Sequence, residues 1–193
     1  MAQKLTTDEK ILNAFSKLLE ENGYTETTTK KIAQAAGVNE STLFRHFKDK
    51  EQLVKELVQK YMSDIDTANA GFIASGDIVS DLMQVAEIYN QFVETHKALF
   101  LIGMRDSFQF PKLKEMIIQL PMKLKKILIS RMTEMKRSGE INELVNVDIT
   151  AANYITLILG HALIQNIYTG TGLDISQTDF VQKNVRNFAE YLK

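Results

Sequence analysis

TTTKKIAQAAGVNESTLFRHFKDKEQL, Thr27 to Leu53, is the stretch from which the rest of the chain is read. Ile32 and Ala36 stand four apart and mark the buried side of a short helix that begins at Thr28 or Thr29 and is broken by Gly37. Asn39 then offers an N-cap for a second short helix ending near Phe47. Two short helices joined by a three-to-four-residue turn containing glycine form a helix-turn-helix pattern. Ala35, Ala36 and Gly37 keep side chains small where the helices cross, and Val38 returns to the core. Gly37 supplies the left-handed conformation that such a turn requires.

Phasing the second of these helices at about 100° per residue puts Leu43 and Phe47 on its buried side. Ser41 and Arg45 lie opposite, with Thr42 and Phe44 on the flanks. The exposed face therefore offers hydroxyls and a forked guanidinium, groups that read base edges and phosphates in a major groove, where arginine matches guanine O6 and N7. Lys48 follows, and Lys50 stands in the first turn of the next helix, where its charge and the helix amides are able to share a phosphate. The same spacing also occurs in small helical subdomains whose charged face is merely solvated. Outward from this stretch, Thr6 with Glu9 forms a capping box for a helix carrying Ile11, Phe15, Leu18 and Leu19, which stops at Asn22-Gly23. Asp49 with Gln52 caps a fourth helix that buries Leu53, Leu57, Val58 and Tyr61.

This segment resembles the N-terminal DNA-binding domain of the tetracycline-repressor (TetR) family of bacterial transcription regulators, whose pattern runs approximately IA.aAGvs.gtlY.hF.sKe.L. Ile32, Ala33, Ala36, Gly37, Val38, Thr42, Leu43, His46, Phe47, Lys50, Glu51 and Leu53 fit it in order, and the likeness extends over about residues 5–63. The resemblance implies that the second and third helices dock on double-stranded DNA, with the third in the major groove. It makes Thr29, Thr42, Arg45, His46 and Lys50 the expected contacts, with Ser41 close to the bases and Lys48 beside them. The chain departs from the pattern at Phe44, where the family has a tyrosine that holds a phosphate. Phe44 packs against the backbone without donating, so Arg45, His46 and Lys48 gain weight. Glu40 is acidic within the same module, either accepting from cytosine N4 or repelling phosphate.

The expected architecture is all-α, about nine helices, with a helix-turn-helix domain over 1–63 and a larger helical ligand-binding and dimerisation domain over 64–193. Only two prolines and nine glycines occur, and no Val/Ile/Thr alternation argues for strands. Ser75-Gly76-Asp77 breaks the helical pattern; a long helix is expected from Ile78 to about Gly103, burying Leu82, Val85, Tyr89, Phe92 and Phe100. Asp106 followed by Phe110-Pro111-Lys112-Leu113 resembles a run of one family subclass and is read as a helix boundary, since proline suits a first turn. Pro121 restarts the next helix or kinks a continuous one, and that helix ends at Gly139. Asp148 opens another to Tyr168, and Ser176 with Asp179 caps the last.

The family plan places a small-molecule cavity among the middle helices and pairs the last two long helices in a homodimer. Pocket candidates are Phe92, His96, Phe100, Met104, Phe108, Met116, Tyr154, His161 and Gln165, because mixed aromatic and methionine linings suit adaptable, largely apolar effectors. Each of these residue types at helical spacing is also ordinary core. Ala151, Ala152, Gly160 and Ala162 give the Asp148–Tyr168 helix a small-sided face, and Phe180, Phe188 and Leu192 supply an opposing wall.

Composition narrows the function classes. There are no cysteines, which excludes disulfide scaffolds, thiolate zinc sites and cysteine nucleophiles. His46, His96 and His161 show no metal-ligand spacing, and neither a P-loop nor a G-x-S-x-G elbow occurs, so no enzyme, metal or cofactor is expected. The opening MAQKLTTDEK has no apolar signal region, and Tyr154–Ile164 falls short of the ~20 residues of a membrane span, so a cytoplasmic protein is expected. The formal charge is −1, yet residues 1–63 carry a net +1 and residues 111–137 a net +6, including Lys123, Lys125 and Lys126. A small basic island in a neutral chain points to a localised anionic partner, whereas the +6 run reads as a solvated helix face or an attractor of acidic ligand. The expected function is a ligand-responsive regulator that represses by binding a palindromic operator as a homodimer. The alternative is a helical dimer that serves as an adaptor or lipophilic-ligand carrier without binding DNA.

Overall fold

The computed structural model describes residues 5–193; the first four residues of the expected N-terminal domain lie outside them. Among the described residues every regular element is helical. The order is α1 (Thr7–Glu26), α2 (Thr29–Ala36), α3 (Glu40–His46), α4 (Lys50–Gly71), α5 (Ile78–Thr95), α6 (Lys97–Arg105), α7 (Pro111–Ile117), α8 (Gln119–Ser138), α9 (Val147–Ile167), α10 (Gln177–Asp179), a π-helical turn (Phe180–Val185) and α11 (Arg186–Glu190).

The caps explain most boundaries. Thr6 and Glu9 form the reciprocal capping box of α1, whose helical path breaks at Gly23 with φ 76°. Thr28 accepts from the Lys31 amide to open α2, and Gly37, at φ 67°, closes it. The Gly37 and Val38 amides return to Gln34 and Ala33 carbonyls, a left-handed helix end that a side chain would strain. Asp49 accepts from the Gln52 amide at the head of α4. Asn39 stands at the N-cap of α3 without a side-chain cap bond. Pro111 opens α7, whereas α8 starts two residues before Pro121, which sits in its first turn. Asn146, not Asp148, caps α9, and Asp148 lies in the first turn.

One expected element is corrected. The single helix from Ile78 to Gly103 is two, divided at His96, whose backbone (φ −118°, ψ 30°) leaves the helical region. Phe92, His96 and Phe100 therefore do not share one continuous helix face. Of the residues assigned to its core, Leu82 is buried while Val85, Tyr89, Phe92 and Phe100 are half-buried.

The chain divides into two compact units. The first comprises the residues up to Asp64 together with His96–Leu120. In it α1 packs on α2 and α6, and α2 on α3; Ile11, Phe15, Leu19, Ile32, Leu43, Leu53 and Ile102 are fully buried. This unit is not one stretch of chain, because α6 and α7 belong to it. The second comprises Ile65–Thr95 and Pro121–Lys193. Its core joins Ile78 and Leu82 of α5, Leu128 and Met132 of α8, Ala151, Tyr154 and Ile158 of α9, and Phe180, Val185 and Ala189 of the last helices. With 21 residues and a mean hydropathy of 1.4 over its most apolar window, α9 is long and apolar enough to cross a membrane by length and composition. The expectation from Tyr154–Ile164 counts only the most apolar stretch of this helix, whose full length the sequence reading puts at Asp148–Tyr168.

Candidate nucleic-acid interface

The helix-turn-helix is built from α2 and α3, with α1 packed against α2. Leu43 and Phe47 are buried, as the phasing required, and they fix which side of α3 faces outward. Ser41, Phe44 and Arg45 are exposed on that face, Phe44 at 50%, and Thr42 is half-buried on its flank. Lys48 is exposed beyond the end of α3. Among the described residues, no hydrogen bond or ion pair engages the side chains of Ser41, Arg45 or Lys48. They present donors and a hydroxyl to solvent from one short element.

Three of the expected contacts already have protein partners. The Thr29 hydroxyl donates to Glu40 Oε1 at 2.6 Å, tying the start of α2 to the start of α3. Glu40 therefore has an internal role, and its charge is partly satisfied before any nucleic acid approaches. His46 Nδ1 lies 2.6 Å from Asp8 Oδ1, joining the end of α3 to the start of α1. The Lys50 ammonium donates to the Tyr24 carbonyl at 2.6 Å and sits 4.0 Å above the centre of the Tyr24 ring. Burial lowers the affinity of Lys50 for its proton, an effect opposed by the charge of Asp106. The sequence reading missed Tyr24, Asp8 and Asp106 as neighbours of these groups. No local pattern signals them, because Lys50 lies 26 positions from Tyr24 and His46 lies 38 from Asp8, and tertiary packing brings them together.

The nine pocket candidates are divided between the two units. His96, Phe100, Met104, Phe108 and Met116 fall in the first unit, while Phe92, Tyr154, His161 and Gln165 fall in the second. His96 is buried at the α5–α6 break, with Nε2 2.9 Å from Asp64 Oδ2 and its ring edge-on to Tyr61 at 3.8 Å. Phe108 is 89% exposed. Tyr154 is fully buried; its hydroxyl donates to the Leu82 carbonyl and its ring packs on Phe188 at 5.4 Å, so it is a core residue. Gln165 donates to the Ile175 carbonyl. An open hollow of about 390 Å³ in the second unit is lined by Gly76, Asp77, Ile78, Ser138, Gly139, Glu140 and Lys193, and by none of the candidates.

Three of the eight basic residues in 111–137 pair with carboxylates. Lys112 meets Glu51 at 3.0 Å, Lys123 meets Asp66 at 2.5 Å and Lys125 meets Asp148 at 3.1 Å. Arg131 donates to the side chain and carbonyl of Asn69 and lies 3.9 Å over the Phe72 ring. These contacts favour the structural reading of that charge over attraction of an acidic ligand.

His161 is buried, stacked on Phe180 at 3.9 Å, with Nε2 2.9 Å from Gln177 Oε1. Burial pushes its imidazole below the ordinary histidine value, and the Gln177 bond opposes the shift. The native state thus binds this proton less well than the unfolded chain, so the contribution is intact above about pH 6.5 and is lost as pH falls through the lowered native value. We expect the melting temperature to fall between pH 7 and pH 5, with a smaller fall in His161→Asn. Equal pH profiles for the two proteins would contradict this placement of the imidazole.

Comparison with known proteins agrees with the geometry. The family model for bacterial regulatory proteins of the tetR family matches residues 11–57. The HTH-type transcriptional regulator YvkB of Bacillus subtilis is 31% identical over 170 residues, 85% of each chain. Salmonella enterica GusR superposes with a TM-score of 0.78 at 20% identity, covering 97% of this chain and all of that one. FadR from Bacillus subtilis, solved in complex with stearoyl-CoA, superposes at 0.73 and 20% identity over 95% of this chain and 98% of that one. A helix-turn-helix carried on an all-helical frame, with regulators for relatives, defines a DNA-binding transcriptional regulator and not an enzyme. The chain belongs to the TetR family of bacterial regulatory proteins.

Proposed function

We propose that this regulator is a homodimeric repressor that binds a palindromic operator and is released by a small, largely apolar effector. The observation that carries the DNA half of this reading is the outward face of α3, where Ser41, Phe44 and Arg45 stand exposed while Leu43 and Phe47 anchor the helix. In this reading Arg45 reads a base edge, Ser41 and Thr42 contact bases or phosphate, and Phe44 packs on the backbone or a thymine methyl. Lys48 and Lys50 neutralise phosphates. Thr29 and His46 reach the same surface while bonded to Glu40 and Asp8. Residues 1–63 form the DNA-binding domain, and residues 64–193 bind effector and dimerise.

Support for the dimer comes from α9, which keeps apolar side chains such as Ile149 (57% exposed) and Ile167 (42% exposed) on its surface. Burying such a face against a second copy removes it from water. Support for an apolar effector is the stearoyl-CoA held by FadR, a protein of the same fold. An effector that binds one separation of the two reading helices better than the other shifts the dimer away from the operator. Because the protein would act on chromosomal DNA, we place it in the cytoplasm.

Selection from a random duplex library, followed by sequencing, tests the reading. An enriched inverted repeat is expected, and with it a Lys50→Ala variant whose affinity is less salt-dependent by roughly one unit of log–log slope for each half-site. A folded, dimeric protein that enriches no sequence would sink the proposal in favour of a carrier or adaptor.

A further inference from the structure

The Arg105-Asp106…Phe110-Pro111-Lys112 segment resembled only a helix boundary in the sequence, but in the first unit it converges on the break in α1. A Cβ placed on Gly23 would stand 3.3 Å from Arg105 Nη2, a tight contact, and 3.6 Å from Asp106 Oδ2, an ordinary one, so these side chains come close to the glycine that the φ of 76° calls for. Arg105 Nη2 donates to the Leu19 carbonyl at 3.0 Å. Asp106 Oδ2 accepts from the Tyr24 amide at 3.4 Å, and the Phe110 ring meets the Tyr24 ring edge-on at 5.0 Å. Lys112 pairs with Glu51, the residue after Lys50. Tyr24 is thereby held at its amide and its ring by residues more than 80 positions away, and its carbonyl and ring face together hold the Lys50 ammonium.

We infer that Tyr24 is a seat for Lys50 and that Asp106 and Phe110 are positioning residues for DNA binding, acting through Tyr24 without touching DNA. The inference rests on the DNA-binding reading above. An ammonium has three N–H donors; the Tyr24 carbonyl takes one and leaves two for a phosphate oxygen. A lysine already confined in this way loses less freedom on binding than one that rotates freely. The break in the α1 hydrogen-bond ladder at Gly23 is what leaves the Tyr24 amide and carbonyl available to side chains.

The proposal has a sign that simple electrostatics does not share. Deleting a carboxylate from a DNA-binding protein removes repulsion of the phosphates and should tighten binding. Releasing the seat should weaken it. The experiment is a salt titration of the dissociation constant for the enriched duplex, using the full chain as wild type, Lys50→Ala, Asp106→Ala, Tyr24→Leu and the Asp106→Ala/Lys50→Ala double variant. Asp106→Ala, which removes the acceptor of the Tyr24 amide, and Tyr24→Leu are expected to bind about tenfold more weakly at about 0.1 M salt and to take on the flatter slope of Lys50→Ala. The double variant is expected to bind no more weakly than Lys50→Ala alone, since neighbours in one network do not add.

Unchanged or tighter binding by Asp106→Ala overturns the seat while leaving DNA binding intact. So does a full sum of the two single losses with the wild-type slope, the result of a merely structural defect. If Tyr24→Leu melts below the assay temperature, Asp106→Ala, which leaves the Tyr24 ring in place, decides alone. A wild type that enriches no duplex overturns the DNA-binding reading and the seat with it.

Discussion

An Arg45→Ala variant is expected to keep its fold and lose its ability to tell operator from random duplex. Arg45 is exposed on α3, one turn from Ser41, with no bond to another described side chain, so its removal leaves no buried group unpaired. A bidentate arginine–guanine pair contributes about 1–3 kcal/mol of discrimination, and a palindrome contains it twice. Operator affinity should therefore drop by roughly 30-fold or more, while affinity for random duplex drops only by the share of one phosphate-attracting charge per protomer. Competition binding of the two duplexes at fixed salt reads the difference. Equal losses on both would make Arg45 a phosphate contact and move base reading elsewhere on α3.

The second large effect concerns the other unit. Tyr154 is fully buried among α5, α9 and the last helices, and its hydroxyl satisfies the Leu82 carbonyl. Tyr154→Ala should destabilise the protein by about 3–5 kcal/mol, through lost transfer energy, an unfilled cavity and an unpaired carbonyl. Tyr154→Phe isolates the last contribution and should cost about 1 kcal/mol. Urea unfolding provides the measurement. A loss below about 1 kcal/mol for Tyr154→Ala would mean that the ring borders empty space and belongs to an effector pocket after all.

What could be read from the sequence was local. The Thr6/Glu9 box, the Gly37 turn, the Leu43/Phe47 side of α3 and the Ser176 cap are each set by residues within one or two turns of each other, and each is seen in the structure. The break at His96 was invisible because no glycine or proline marks it. His96 is drawn out of the helix where its ring meets Asp64 and Tyr61, thirty or more residues earlier. The same holds for Arg105 and Asp106: their spacing to Phe110-Pro111 could be seen, but not that α6 folds back on α1. The partners of Thr29, His46 and Lys50 are likewise set by tertiary packing. Side-chain type alone could not divide the pocket candidates, because a buried tyrosine in a core and one in a cavity wall follow the same helical spacing.

In the proposed dimer, two copies of α3 read successive major grooves of one DNA face. Half-sites must then lie about one helical turn apart, ~34–36 Å. The decisive measurement compares dissociation constants for the enriched palindrome and for the same half-sites with five base pairs, about half a turn, inserted between them. The insertion is expected to reduce affinity to near that for random duplex, with the steep salt dependence of phosphate binding preserved. Equal affinity for both duplexes would contradict the proposed dimer, because half-sites on opposite faces of the helix cannot be held by one rigidly spaced dimer.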